Sequence, residues 1–338
     1  MTHQYTYFPR ATASIGSAML DANVTASLDS IARRGSDFRD EATRERMSDL
    51  LDRLGESEVL AMAGLGAAEG NLRRVTTETD YSTFHRRSAH ALSLLNENRD
   101  LLRRWVAGED VRPVVIDIER ERDKRVEGLF HVVVDNYLLP SYALVAQAYW
   151  LYLSDPIPMR ALRRVERVAG EIRCRGSREM MLAILLLAGT RNGQDLALNI
   201  MKLRAESGLR KTLDAIWNTS FDLTYTRLAV SFPLYGGVPE PVVFITADKH
   251  LSTFMNTIEP LGAGMTRGGT ALPLDSSNFE GLVRDDLYEN VQALMLASAQ
   301  AVAANSERDE RVTRIRRNNS IRHIARLEAL FADRADGT

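Results

Sequence analysis

The sequence predicts an α/β protein: a central, mostly parallel sheet flanked by helices, with an additional all-helical region ahead of it. Three observations predict this class. Phe130 to Val134 in "FHVVVDNYLL" and Val242 to Thr246 in "VVFITADKHL" are apolar and β-branched on consecutive positions, as in strands buried on both faces of a parallel sheet. Several helical stretches lie between them, and strand, helices, strand is the order that lays helices over a sheet. Before both runs a polar segment from about Asn23 to Trp105 keeps a helical rhythm and contains no proline.

In chain order, Met47, Leu50, Leu51 and Leu54 share one side of "RERMSDLLDRL", and Phe84, Leu92, Leu95, Leu102 and Trp105 recur near helical period. Residues 1–125 are therefore read as a helical region, regulatory or oligomerising, that meets a second copy of the chain or an inhibitory partner protein. The boundary falls in "VAGEDVRPVVIDIERERDKRVEG", where Pro113, two glycines and a dense charge run precede the apolar turn at Leu129. Residues 126–260 form the α/β domain. Its first strand ends at Asp135; helices follow over "SYALVAQAYWLYL", "MRALRRVERVAGEIRCRG" after Pro156 and Pro158, "REMMLAILLLAG", "GQDLALNIMKLRAESG" and "LRKTLDAIWNTSFDLTYTRLAVSF". "PLYGGVPEP" is a loop into the second strand. Residues 261–338 supply a flexible Gly/Pro-rich loop, "PLGAGMTRGGTALPLDSSNFEG", and C-terminal helices that pack on the rest. The last helix bears Arg311, Arg314, Arg316, Arg317 and Arg322; a solvated face balanced by Glu307, Glu310 and Glu328 is favoured over a phosphate-contacting one.

Composition excludes several classes. At 338 residues with a formal net charge of -2, nothing global advertises a polyanion partner. A single cysteine, Cys174, rules out an internal disulfide framework and a cysteine-built metal site, which fits a reducing, cytoplasmic address. The N-terminus lacks the basic and apolar regions of a secretory signal. The apolar run "MMLAILLLAG" is about half of what a membrane-spanning helix needs, so it reads as a core helix and no membrane partner is expected.

Two aspartates, Asp135 and Asp248, stand just past the two strands. Ligands of open α/β sheets bind outside the carboxyl ends of the strands, so both are aimed at such a site. Carboxylates that converge repel each other, and a shared proton or a hard cation relieves the repulsion; Mg2+ or Mn2+ suits oxygen-only ligands. Asp222, inside the otherwise apolar or small "WNTSFDLTYTRL", and Glu179, opening "EMMLAILLLAG", are further candidates. For Glu179 a favourable helix-dipole partner is an equal alternative; for Asp222 it is a buried, hydrogen-bonded residue.

The ordered set "VVVDNYLL", an acidic helix start, "IWNTSFDLTYTRLA" and "VFITADKHL" resembles the PIN domain, a family of metal-dependent nucleases. The resemblance covers roughly residues 128 to 258. It implies Asp135, Glu179, Asp222 and Asp248 as catalytic and metal-binding residues, with Asn136 and Thr246 as supporting polar groups. Glu171 and Asp195 compete with Glu179, and Asp214 with Asp222. The implied activity is endonucleolytic hydrolysis of phosphodiester bonds with Mg2+ or Mn2+, on RNA ahead of DNA, with Lys249 near the phosphate or simply exposed. The rival from a different class is a helical adaptor with a degenerate PIN-like domain that binds RNA or protein without catalysis.

Other signals are weaker. Tyr137 stands where a haloacid-dehalogenase phosphatase needs its second aspartate. "GAGMTRGGT" and "GTRNGQD" match neither a P-loop nor a dinucleotide fingerprint. No two of His3, His85, His90, His131, His250 and His323 have zincin spacing, and Ser141 lacks a nucleophile elbow.

Overall fold

Four short segments far apart in sequence meet in one sheet: β1 (Thr6–Phe8), β2 (Ser17–Leu20), β3 (Leu60–Met62) and β4 (Val242–Thr246). Their order across the sheet is β1-β4-β2-β3, with β2 parallel to both β3 and β4, and β1 antiparallel to β4. β2 and β4 are buried along their whole length, so each tolerates apolar or small residues on both faces. The computed structural model describes residues 4–8, 15–54, 60–69, 72, 80–116, 130–174, 176–204, 207–231, 242–265, 271–304 and 310–336. The expected charge run ahead of Leu129 falls largely outside these residues, as does the "PLYGGVPEP" loop.

The chain divides into two compact units that interleave along the sequence: residues 1–130 with 228–252, and residues 131–227 with 253–338. The first holds the four-stranded sheet and the helices α1 (Ala22–Arg34), α2 (Glu41–Leu54), α3 (Gly64–Ala68), α4 (Tyr81–Leu95) and α5 (Arg99–Val106). Its core joins sheet and helices: Ala18, Leu20, Val243 and Ile245 pack with Val24, Leu28 and Ile31 of α1, Leu50 and Leu54 of α2, Leu94 of α4 and Trp105 of α5. On α1 the buried positions 24, 28 and 31 recur at helical period, which lays that stripe on the sheet.

The second unit is built around α8. Its helices are α6 (Leu139–Ser154), α7 (Pro158–Glu171), α8 (Ser177–Ala188), α9 (Arg191–Ile200), most of α10 (Leu209–Ser231), α11 (Tyr288–Ala304) and α12 (Glu310–Asp336). Every residue of α8 from Arg178 to Ala188 is buried, with α6, α7 and α9 packed around it. "MMLAILLLAG" is thus a core helix; among the described residues no helix is long and apolar enough to cross a membrane.

The expected central, mostly parallel sheet flanked by helices is not what forms. Helices dominate the described chain, the sheet is small and mixed, and the region expected to be all-helical supplies three of its four strands. The expected strand at Phe130 to Val134 is helical, and the helix runs on through a wide turn at Val134–Leu138 into α6. Burial follows the helix: Phe130, Val134 and Leu138 are inside at four-residue intervals while Val132 is 54% exposed. A strand buried on both faces would hide all three valines. The wide turn has a local cause, because Pro140 has no N–H to donate to Asn136, and Leu139 N–H reaches Val134 O instead. The segment read as a flexible loop also differs: Ile258–Met265 and Ala271–Ser277 pair as an antiparallel hairpin with a register shift between Pro260 and Gly262. Residues 266–270 of that segment lie outside the described residues.

Candidate functional site

In the first unit the parallel strands β2, β3 and β4 bring their carboxyl ends to one edge of the sheet, where ligand sites of such sheets form. β2 ends in Leu20, and the next residue, Asp21, caps α1 with extended backbone. Its amide donates to Ile245 O at 3.0 Å, so the exit of β2 is stitched to β4. The Asp21 side chain is buried and its Oδ2 accepts from Thr246 Oγ1 at 2.7 Å and from Asn23 Nδ2 at 3.2 Å.

β3 delivers a second acid to the same edge. After Met62 the chain turns into α3, where Gly66 approaches so closely that a Cβ would lie 2.6 Å from Leu20 O and 2.9 Å from the Asp21 carbonyl carbon. Only glycine permits that contact. Glu69 follows within the next turn, and a carboxylate oxygen of Glu69 lies within 4.8 Å of one of Asp21. Two oxygens of one coordination sphere stand up to about 4.2 Å apart around Mg2+ and about 5 Å around Ca2+, so Ca2+ is accommodated over this whole range and Mg2+ over its shorter part. The pair therefore fits a hard divalent ion with oxygen donors.

β4 supplies the third side of the edge. Thr246 gives its hydroxyl proton to Asp21 and accepts the amide proton of Asp248 at 3.0 Å. Asp248 caps the short helix Lys249–Met255, its Oδ1 accepting from the amides of His250 and Leu251 at 2.9 and 3.0 Å. It also lines an open cleft of about 420 Å³ with Asn23, Ser27 and Ser30 of α1, Phe38, and Asp40, Thr43 and Arg46 at α2. Hydrogen bonds from Thr43 hold the Asp40 carboxyl below its ordinary range, so Asp40 is ionised at neutral pH, with the Arg46 cation close enough to act on it.

The other sequence-predicted residues belong to the second unit. Asp135 lies in the wide turn before α6, not at a strand exit, and its Oδ1 accepts from Arg317 Nε at 2.9 Å. Burial pushes the Asp135 carboxyl up, and the Arg317 charge only partly offsets this. Asn136 is bound into the helix packing: its Nδ2 donates to Val132 O, and its Oδ1 accepts from Thr313 Oγ1 and from Arg316. Glu179, fully buried at the start of α8, faces the guanidinium of Arg227 at 3.4 Å. Arg227 in turn lies 5.0 Å from the centre of the Tyr137 ring and donates to Tyr137 O. Asp222 is buried on α10, while Asp214, on the same helix, and Asp195 are exposed beside Arg210 and Arg191.

Asp135 and Glu179 are thus each neutralised by an arginine of their own unit, and Asp248 sits in the other unit with Asp21 and Glu69. Asp21 carries the signal that singled out Asp135: "SAMLDANV" is an apolar run closed by an aspartate with an asparagine two residues on. That run was hidden at the edge of a region read as helical from about Asn23. Glu69, in "GLGAAEG", has no comparable pattern. Comparison with family models, with curated proteins and with solved structures gives no significant match.

Proposed function

We propose that the chain is a metal-dependent nuclease that hydrolyses phosphodiester bonds, RNA ahead of DNA, at the carboxyl edge of the first unit's sheet. The observation that carries this reading is the pairing of the buried Asp21, at the exit of β2, with Glu69, just past the short helix α3 that follows β3, where a hard divalent ion is the natural complement. Asp21 and Glu69 hold Mg2+ or Mn2+, and Asp248, across Thr246 from Asp21, orients the attacking water or extends the ligand set. A divalent ion held there supplies the positive charge that activates water and offsets charge growing on phosphorus and on the leaving oxygen. Thr246 and Asn23 fix the Asp21 carboxylate by donating to its Oδ2. The cleft beside Asp248 gives the substrate strand a place to lie.

The test is cleavage of end-labelled single-stranded RNA and DNA by the full chain, with Mn2+ or with EDTA, beside Asp21→Asn. Cleavage that needs Mn2+ and disappears in Asp21→Asn supports the assignment. Cleavage that survives EDTA or the substitution, or a folded chain that cuts nothing in Mn2+, overturns it in favour of a non-catalytic RNA- or protein-binding role.

A further inference from the structure

The C-terminal helix breaks the charge balance of the chain. Overall the sequence carries 43 Lys+Arg against 45 Asp+Glu, yet "RVTRIRRNNSIRHIARL", residues 311–327, contains arginines at 311, 314, 316, 317, 322 and 326 and no acid. Its buried face, Val312, Ser320, Ile324 and Leu327, is spoken for by packing, chiefly against α6. His323 and Gln147 join the two helices at 2.8 Å.

Two of the arginines have structural duties. Arg316 Nε donates to Arg173 O, beyond the end of α7, and Arg317 pairs with Asp135. The exposed Arg314, Arg322 and Arg326 are placed differently: together with Asn318 they occupy positions four residues apart and form one row along the outward face of α12, Arg322 also donating within the helix to Asn319 Oδ1 at 3.2 Å. The row is about 18 Å long at 1.5 Å per residue. Nearby acids are engaged elsewhere: Asp135 holds Arg317, and Glu328 accepts from the Tyr142 hydroxyl at 2.7 Å. Exposed Glu171 acts electrostatically on His323.

We infer that this row is a docking surface for the phosphate backbone of a nucleic-acid strand. Charge complementarity identifies the occupant: repeated cations along one line, with an asparagine amide between them, match a polymer of regularly spaced phosphates. A membrane surface fits less well, because among the described residues the outward face carries only Ile321 as a large exposed apolar residue and an interfacial helix needs a continuous apolar side. The surface lies in the second unit and uses none of the carboxyl-edge residues, so binding there does not depend on the nuclease reading.

The test is fluorescence anisotropy of a labelled oligouridylate with the full chain in EDTA, across a salt series, for wild type, for Arg314→Gln/Arg322→Gln/Arg326→Gln, and for the same three positions changed to Lys. Wild type should bind with a steep salt dependence. The Gln variant should weaken binding roughly tenfold or more and lower the log–log salt slope by about 2, as expected for three lost single-strand phosphate contacts. The Lys variant should retain most of the affinity. Absence of wild-type binding at low salt, a flat salt dependence, or equal affinity of the Gln variant overturns the inference. So does binding to phosphatidylserine vesicles without binding to the oligonucleotide. A melting transition by circular dichroism establishes that the variants are folded, and the Lys variant, which keeps the charge at the same positions, separates lost phosphate contacts from lost structure.

Discussion

Thr246 gives its hydroxyl proton to the buried carboxylate of Asp21 across 2.7 Å, tying the exit of β4 to the exit of β2. Replacing Thr246 by Val keeps the shape and leaves a buried acceptor short of one donor. Urea unfolding should show a loss of about 1–3 kcal/mol. A loss near zero would mean that the hydroxyl does not hold Asp21 in place.

Gly66 is the second fixed point of that edge. A Cβ at this position meets backbone atoms of Leu20 and Asp21, which cannot swing aside as a side-chain tip can. Gly66→Ala should therefore displace Asp21 as well as destabilise the unit, and Mn2+ affinity should fall together with the urea midpoint.

Glu179 and Asp135 should respond very differently to loss of charge. Glu179→Gln leaves the buried Arg227 guanidinium without its carboxylate and should cost about 3–5 kcal/mol in urea unfolding. Asp135→Asn breaks a pair whose arginine is well exposed, and the cost should be at most about 1 kcal/mol. Cleavage by folded Asp135→Asn should match wild type, since Asp135 takes no part in the proposed site.

Acid should weaken the second unit in two separate windows. Burial depresses the His323 imidazole below its ordinary value, so the unfolded chain takes up the proton more readily. That contribution is intact above about pH 6.5 and is lost as pH falls below it. Asp155, gripped by Arg160 through both carboxylate oxygens, is lowered to about 2. Its contribution is present above the unfolded value of about 3.9 and disappears as pH falls toward the folded one. In urea midpoints measured against pH, His323→Gln should remove the upper step and Asp155→Ala the lower one.

Much of what positions the site is local and therefore readable. Val242 to Thr246 is a strand because its consecutive β-branched and aromatic residues are buried on both faces, and Asp248 follows it as a helix cap. "MMLAILLLAG" is a core helix because nothing polar interrupts it. What misleads is the run of valines before Asp135: consecutive β-branched residues suit a buried strand, but a strand needs a neighbour, and here helical continuity into α6 offers burial for Phe130, Val134 and Leu138 instead. The partners of β4 are β1 and β2, more than two hundred residues away in sequence, and no local pattern specifies such a pairing. Glu69 is legible only in three dimensions, because its approach to Asp21 depends on the close seat of Gly66.

The most direct measurement is calorimetric titration of Mn2+ into the metal-free full chain, beside Asp21→Asn and Glu69→Gln. The expected result is saturable binding by wild type that is lost in either variant while its thermal transition persists. Saturable binding of unchanged affinity in both folded variants would contradict the assignment of Asp21 and Glu69 as the ligands.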